Sequence, residues 1–271
     1  MDPVVTAHRQ IWRDSGLSEG DRIVPEETAL ALSYDAGTYA VMMGTPQDLE
    51  DFAVGFSLTE GIIDSVADIE SLEVVPQDEG VELRMWLARS NAERLAQRRR
   101  HIAGPTGCGL CGIDSIVEAM KPVAIVGAGI TVTPQQIMAA MQSLQPLQTL
   151  NTLTRAVHAA AFWQPEHGIM EIREDVGRHN ALDKLAGALA RKTIAASNGA
   201  VLLTSRVSVE MVQKTASMGA SIIVSVSAPT ALAIKMAERA GITLAAIARA
   251  DGFEIFTHTK RISSGEVTNV A

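Results

Sequence analysis

The chain reads as an α/β protein with a buried parallel sheet in its carboxyl-terminal half and a smaller α+β region before it. Three observations predict this. Short apolar runs recur at residues 199–204, 221–226 and 242–248. The stretches between them, 207–218 and 229–240, have helical length and spacing. Apolar strands alternating with helices give βαβαβ units, whose strands are covered on both faces and joined by right-handed crossovers. Finally, aromatic residues make up only 4% of a chain that is 47% hydrophobic, so the core must be built from aliphatic side chains.

From the amino terminus, residues 1–20 are polar and read as loosely ordered. Alternating stretches then predict strands, such as Ala29-Leu30-Ala31-Leu32-Ser33-Tyr34, turning at Asp35-Ala36-Gly37. A helix follows. Thr45 is its expected cap and Pro46 its first residue, and Asp48, Glu50 and Asp51 suit the positive end of the helix dipole. Leu49, Phe52, Ala53, Phe56 and Leu58 give it an apolar side, and Gly61 ends it. Residues 71–88 read as two strands around Gln77-Asp78-Glu79-Gly80, and 91–101 as a helix. Thr133-Pro134 starts a further helix over 134–144. The expected boundary near residue 120 divides the chain into 1–120 and 121–271.

The net charge of −8 argues against non-specific nucleic-acid binding. No stretch reaches the roughly 18 apolar residues of a membrane helix, and the first residues hold no signal-peptide core. A cytoplasmic protein is expected. Against the acidic background, Arg94, Arg98, Arg99, Arg100 and His101 form one basic run, read as a solvated helix face or as a docking surface for acidic groups.

Two cysteines stand in Gly104-Pro105-Thr106-Gly107-Cys108-Gly109-Leu110-Cys111-Gly112. Four glycines and a proline in nine residues make this a loop. Zinc would need further ligands, because the chain has only these two cysteines. The H-x-E element of a zinc deaminase is missing at His8 and His101. A thioredoxin-like redox pair would need a rigid helix start, which the glycines disfavour. A pair of simply buried thiols is the plainest alternative. Persulfide transfer fits best: it calls for a nucleophilic thiol on a mobile carrier, here Cys108, and for a neighbouring thiol, here Cys111, that can resolve it.

Several longer stretches carry a resemblance over most of residues 20–260. They are Gly44-Thr45-Pro46, Asp51-Phe52-Ala53-Val54-Gly55-Phe56, Thr59-Glu60-Gly61-Ile62-Ile63 and Cys108-Gly109-Leu110-Cys111-Gly112. Next come Arg173-Glu174-Asp175-Val176-Gly177-Arg178-His179-Asn180-Ala181-Leu182-Asp183-Lys184, Thr204-Ser205-Arg206 and Ser227-Ala228-Pro229-Thr230. In these the chain resembles the formate dehydrogenase accessory sulfurtransferase (FdhD/NarQ) family.

The resemblance implies a cytidine deaminase-like α-β-α domain after the smaller amino-terminal region, and a homodimer. It implies a sulfurtransferase that takes persulfide sulfur from a cysteine desulfurase. The sulfur goes to the molybdenum bis(molybdopterin guanine dinucleotide) cofactor, a bound substrate rather than a permanent group, for use by formate dehydrogenase. The persulfide is expected on Cys108, and cofactor contacts map by position onto Phe253-Glu254-Ile255-Phe256-Thr257-His258. The family has glycines before a His-Ala-Ala-Ala stretch; this chain has Thr154-Arg155-Ala156-Val157 before His158, so no pocket role is carried over to that histidine.

Arg206, Ser227 and Arg249 follow predicted parallel strands, where anionic ligands collect. Arg206 and Ser227 are taken as further cofactor contacts, with pairing of the arginines to Glu210 or Asp251 as the plainer reading. His179 sits in a polar cluster at a helix start, suited to phosphate, to orienting the cysteine loop, or only to capping with an Asp175–Arg178 pair. Met211, Met218 and Met236 read as core, and Trp12, Trp86 and Trp163 as packing. The rival functions are a zinc-dependent deaminase-like hydrolase and a cofactor-holding chaperone without sulfur transfer.

Overall fold

The computed structural model describes residues 1–89, 91 and 123–263. Strands β1 (Val4–Arg13) and β2 (Gly16–Pro25) pair antiparallel as a two-stranded ribbon, with Trp12 opposite Leu17 near its tip. The expectation of loose order over residues 1–20 therefore fails. Cross-strand pairs such as Thr6–Ile23 and His8–Asp21 hold the ribbon in register despite its polar composition.

β3 (Thr28–Tyr34), β4 (Gly37–Gly44), β5 (Ile69–Gln77) and β6 (Gly80–Leu87) form a second sheet in the order β4-β3-β6-β5. Only β3 and β6 run parallel; the other pairs are antiparallel. Leu30, Leu32 and Tyr34 lie beside Val81, Leu83 and Met85 and are buried beneath Phe52 and Phe56 of α1 (Leu49–Thr59). The Tyr34 hydroxyl lies 2.8 Å from Ser57 Oγ, which keeps its polar tip satisfied inside this core. Both predicted turns form, at Asp35-Ala36 and at residues 78–79.

The predicted start of α1 needs correction. Asp48, at φ 53°, occupies the cap position and makes no side-chain cap bond. Thr45 is buried three residues before that position, and Pro46 precedes the helix. The helix does end at Gly61, whose φ of +67° favours glycine.

The third sheet has six strands in the order β12-β11-β10-β9-β7-β8. Its members are β7 (His158–Gln164), β8 (Gly168–Asp175), β9 (Ala200–Leu203), β10 (Ile222–Ser225), β11 (Thr243–Arg249) and β12 (Gly252–Ile255). The middle three run parallel, and β7, β8 and β12 extend them antiparallel. The predicted βαβαβ run is β9, α5 (Val209–Met218), β10, α6 (Ala231–Ala240), β11.

Helices cover both faces of this sheet. On one, α4 (Arg178–Arg191), α5 and α6 bury Val201, Leu203, Ile223 and Leu244. On the other, α2 (Pro134–Leu144) packs on Ala161, Leu202 and Val224. β9 and β10 are thus buried along their whole length. As its sequence predicts, α2 opens on Thr133, whose Oγ1 accepts from the Gln136 amide. The short α3 (Thr149–Thr154) lies next to β2.

The two parts join where α1 crosses α4. A Cβ on Gly55 would fall 1.7 Å from the Asp183 carbonyl oxygen, and one on Gly187 would fall 1.9 Å from that of Asp51. Only glycine at both positions permits this backbone approach. The boundary expected near residue 120 lies outside the described residues. Met211 and Met236 are core residues as predicted, and Met218 packs at its margin. Trp163 is buried, but Trp12 is 74% exposed and Trp86 43%, so neither serves as packing.

Candidate functional site

Around the α1–α4 crossing, the long polar motifs meet one another before they meet any ligand. Asp175 Oδ2 accepts from Lys184 Nζ at 2.6 Å and from the Thr45 amide at 3.0 Å, while Oδ1 accepts from the Gly177 amide at 2.7 Å. Lys184 Nζ also donates to the Thr45 carbonyl, and the Val176 amide donates to Thr45 Oγ1. Burial holds the Lys184 ammonium below its ordinary pKa, with Asp175 opposing. Nearby, Asp51 receives Arg173 at 2.7 Å and also Arg191, while Arg173 bonds Glu171 as well. Lys214 Nζ reaches Asp183 at 3.0 Å, Glu60 at 3.2 Å and Thr59 at 3.1 Å. Burial works against that ammonium, but Asp183 and Glu60 outweigh it and hold its pKa above normal.

This accounting changes the reading of the Gly177-Arg178-His179 start. The expected Asp175–Arg178 pair does not form, since Asp175 is committed to Lys184, Thr45, Gly177 and Asn180. Arg178 follows β8 at the same end of the sheet as the crevice between the carboxyl ends of β9 and β10.

That crevice is built from loops that hold one another. Ser225 Oγ donates to the Ser205 carbonyl at 2.6 Å and accepts from the Ser227 amide at 3.1 Å. Thr230 caps α6 by accepting from the Ala233 amide. The Ile247 amide donates to the Ser227 carbonyl from a bulge in β11, where Ile247 has a φ of 55°. A β-branched residue at positive φ is strained, and bulges of this kind re-aim a strand end. Arg206 is exposed, and neither it nor Arg249 pairs with an acidic side chain among the described residues.

The pairing of Ala160 with Leu203 places His158 just beyond the end of β9. His158 and His179 are both half-buried, and both imidazoles titrate below the ordinary value, through burial first and the Arg178 charge second. Arg178 Nε and His179 Nε2 are buried and have no hydrogen-bond partner among the described residues. Glu210 is the nearest carboxylate to the latter, at 4.0 Å.

The predicted carboxyl-terminal contacts sit elsewhere. Phe253, Glu254 and Ile255 belong to the edge strand β12, with Phe253 and Ile255 turned to the core. Because Ile255 pairs with Ala245, Phe256, Thr257 and His258 emerge at the amino ends of the parallel strands. Four residues of β10 at about 3.3 Å each, roughly 13 Å, separate them from Arg206 and Ser227. The structure does not bring the two predicted sets of contacts together.

Thr257 is buried and structural: its Oγ1 donates to the Ile242 carbonyl and accepts from the Leu244 amide. His258 Nε2 lies 2.9 Å from the Glu238 carbonyl. Around Phe256, His258, Lys260 and Glu238 there is an open hollow of about 510 Å³. Cys108, Cys111 and the basic run from Arg94 to His101 lie outside the described residues. No group of three metal-ligating side chains occurs among the described residues, and no helix there is long and apolar enough to cross a membrane.

Comparison with known proteins decides the family. The model of the FdhD/NarQ family matches residues 25–263. The chain belongs to the FdhD/NarQ family. Relatives named sulfur carrier protein FdhD include one from Agrobacterium fabrum, 52% identical over 94% of each chain. Another, from Brucella abortus, is 51% identical over 94% of this chain and 95% of the relative. A crystal structure assigned as a formate dehydrogenase accessory protein from Desulfotalea psychrophila superposes with a TM-score of 0.78 at 27% identity, covering 97% of this chain and all of that one.

Seen within the FdhD/NarQ chain, the motifs that carry the resemblance divide by task. Thr45, Asp51, Gly55, Asp175, Asp183 and Lys184 fasten the two halves. Arg178, His179, Arg206 and Ser227 line one end of the large sheet. Sequence reasoning found Arg206 and Ser227 through the rule that ligands collect at strand ends, and Arg178 and His179 as a polar cluster at a helix start. It missed the fastening role, which pairs residues more than a hundred positions apart with no local pattern to announce it.

Proposed function

We propose that this FdhD/NarQ chain is a sulfur carrier in formate dehydrogenase maturation, with Cys108 as the carrying thiol. The observation that carries the reading is the 52% identity, over 94% of both chains, to a protein named for that role. The glycine-rich Cys108-Gly109-Leu110-Cys111 stretch supplies the chemistry. A Cys108 thiolate attacks the outer sulfur of a donor persulfide, forming the new S–S bond as the donor leaves as thiolate. The donor is a cysteine desulfurase. Release balances if the Cys111 thiolate attacks Cys108 Sγ: the two cysteines are oxidised to a disulfide, and the outer sulfur leaves as hydrosulfide, two electrons richer.

The acceptor is the molybdenum bis(molybdopterin guanine dinucleotide) cofactor, held as substrate and passed on to formate dehydrogenase. Two places support binding of such a ligand: the hollow around Phe256, His258 and Lys260, and the crevice of Arg206 and Ser227. We take the covered six-stranded sheet as a cytidine deaminase-like domain, the chain as a homodimer, and the cytoplasm as its compartment. Intact mass after incubation with a cysteine desulfurase and cysteine tests the carrier reading. Wild type should gain about 32 Da per transferable sulfur atom. An unchanged mass, with the donor shown to be loaded, would overturn it.

A further inference from the structure

Among the described residues, most buried polar atoms have partners, and Arg178 Nε and His179 Nε2 are exceptions on consecutive residues. An arginine Nε–H can only donate, and a buried donor without an acceptor costs on the order of 1–3 kcal/mol. The charges around His179 are also accounted for. Lys214 on α5 is committed to Asp183 and Glu60. Glu210, also on α5, stops 4.0 Å from His179 Nε2, beyond hydrogen-bond reach, although its charge acts on both Arg178 and His179. The Arg178 charge acts on both His158 and His179, and among the described residues its Nε has no hydrogen-bond acceptor.

We propose that Arg178 and His179 are the receptor for a phosphate group at the carboxyl end of the parallel strands. A tetrahedral oxyanion offers several acceptor oxygens at once, so it can accept from Arg178 Nε and still meet a second donor nearby. Exposed Arg206 on the adjoining loop adds a second cation without an acidic partner among the described residues. The phosphate is either free inorganic phosphate or part of a nucleotide diphosphate. The second source rests on the reading of a guanine-dinucleotide ligand; the receptor itself does not.

Proton linkage supplies the readout. His179 faces Arg178, Glu210, Lys214 and Glu60, and His158 faces Arg178. Because Arg178 disfavours a proton on either ring, a bound anion that offsets Arg178 must raise both histidine pKa values. By the same linkage, a proton on either ring favours the bound anion, while phosphate's own titration in that range works against it, so the histidine pKa shift is the readout.

The experiment is a histidine-ring NMR titration of the full chain, with His158→Gln and His179→Gln used to assign resonances. Inorganic phosphate, pyrophosphate and GDP are added separately. With phosphate at roughly 20 mM, the His179 pKa should rise by about half a unit or more, with a Kd in the millimolar range. Arg178→Gln should weaken that binding about tenfold or more, and Arg178→Lys less, because the charge stays. A stronger effect of GDP on the same resonance identifies the nucleotide as the source. A phosphate response without a GDP response supports the receptor and counts against the nucleotide reading. Calorimetric GDP binding with His179 unmoved by all three probes overturns the receptor and leaves that reading standing. Should Arg178→Gln fail to fold, the wild-type titration decides alone.

Discussion

Lys184 and Asp175 meet at 2.6 Å with neither side chain exposed to solvent. A buried pair of this kind adds little net stability when intact, because desolvation offsets its attraction. Removing one partner is different, since a lone charge is left inside. Lys184→Met should therefore lower stability by about 3–5 kcal/mol. It strands Asp175, which also anchors Thr45 and hence the amino-terminal half. Urea unfolding measures this; a loss below about 1 kcal/mol would mean water already reaches the pair.

The glycine crossing gives a second prediction with an internal control. Gly55→Ala and Gly187→Ala each push a methyl group into a facing backbone carbonyl, at 1.7 and 1.9 Å, and neither helix can yield without dislodging the ion pairs beside it. Each should cost about 3 kcal/mol or more, the upper end for overpacking. Gly61→Ala meets open space and suffers only from its φ of +67°, about 1 kcal/mol. Equal melting temperatures for all three variants would show that α1 does not pack on α4 as described.

How much of this was legible beforehand follows the range of each interaction. The β9–β11 run and the Thr133 cap are local patterns, and both were read correctly. Thr45 looked like a cap because it precedes a helix; its partners Asp175 and Val176 are 130 and 131 residues away, and no window shows them. The ribbon of β1 and β2 was missed because its sequence lacks a continuous apolar face, and its order comes from cross-strand pairing instead. In the candidate site, strand-end logic picked out Arg206 and Ser227, and the polar helix start picked out the His179 region. The motif match for residues 253–258 carried no information about which end of the sheet they occupy, and they lie at the other end.

The depressed histidines make stability depend on pH. His158 and His179 titrate below the ordinary imidazole value of about 6.5 in the folded chain, so the unfolded chain binds protons first as pH falls. Stability is complete above about 6.5 and declines as pH drops from there toward the folded pKa values, the sign expected when the unfolded state holds more protons. The urea midpoint should fall between about pH 7 and pH 5.5, and His179→Gln should flatten that slope. A midpoint constant across the interval would place both rings in water-like surroundings, and a slope unchanged by the substitution would place His179 there.

The two cysteines should separate loading from release. Cys108→Ala removes the carrying sulfur, so neither mass gain nor dehydrogenase activation is expected. Cys111→Ala keeps the carrier and should load the same increment of about 32 Da. It lacks the thiol that converts sulfane sulfur to hydrosulfide, so the loaded form should persist and activation should fall at least about tenfold. An added small thiol reductant supplies the same two electrons, attacking Cys108 Sγ in place of Cys111, and should restore release from Cys111→Ala but not from Cys108→Ala. Mass spectrometry of the carrier over time, paired with a hydrosulfide assay, follows both steps. If Cys111→Ala released sulfide at the wild-type rate without reductant, the electrons would have to come from the acceptor side, and the resolving role assigned to Cys111 would be wrong.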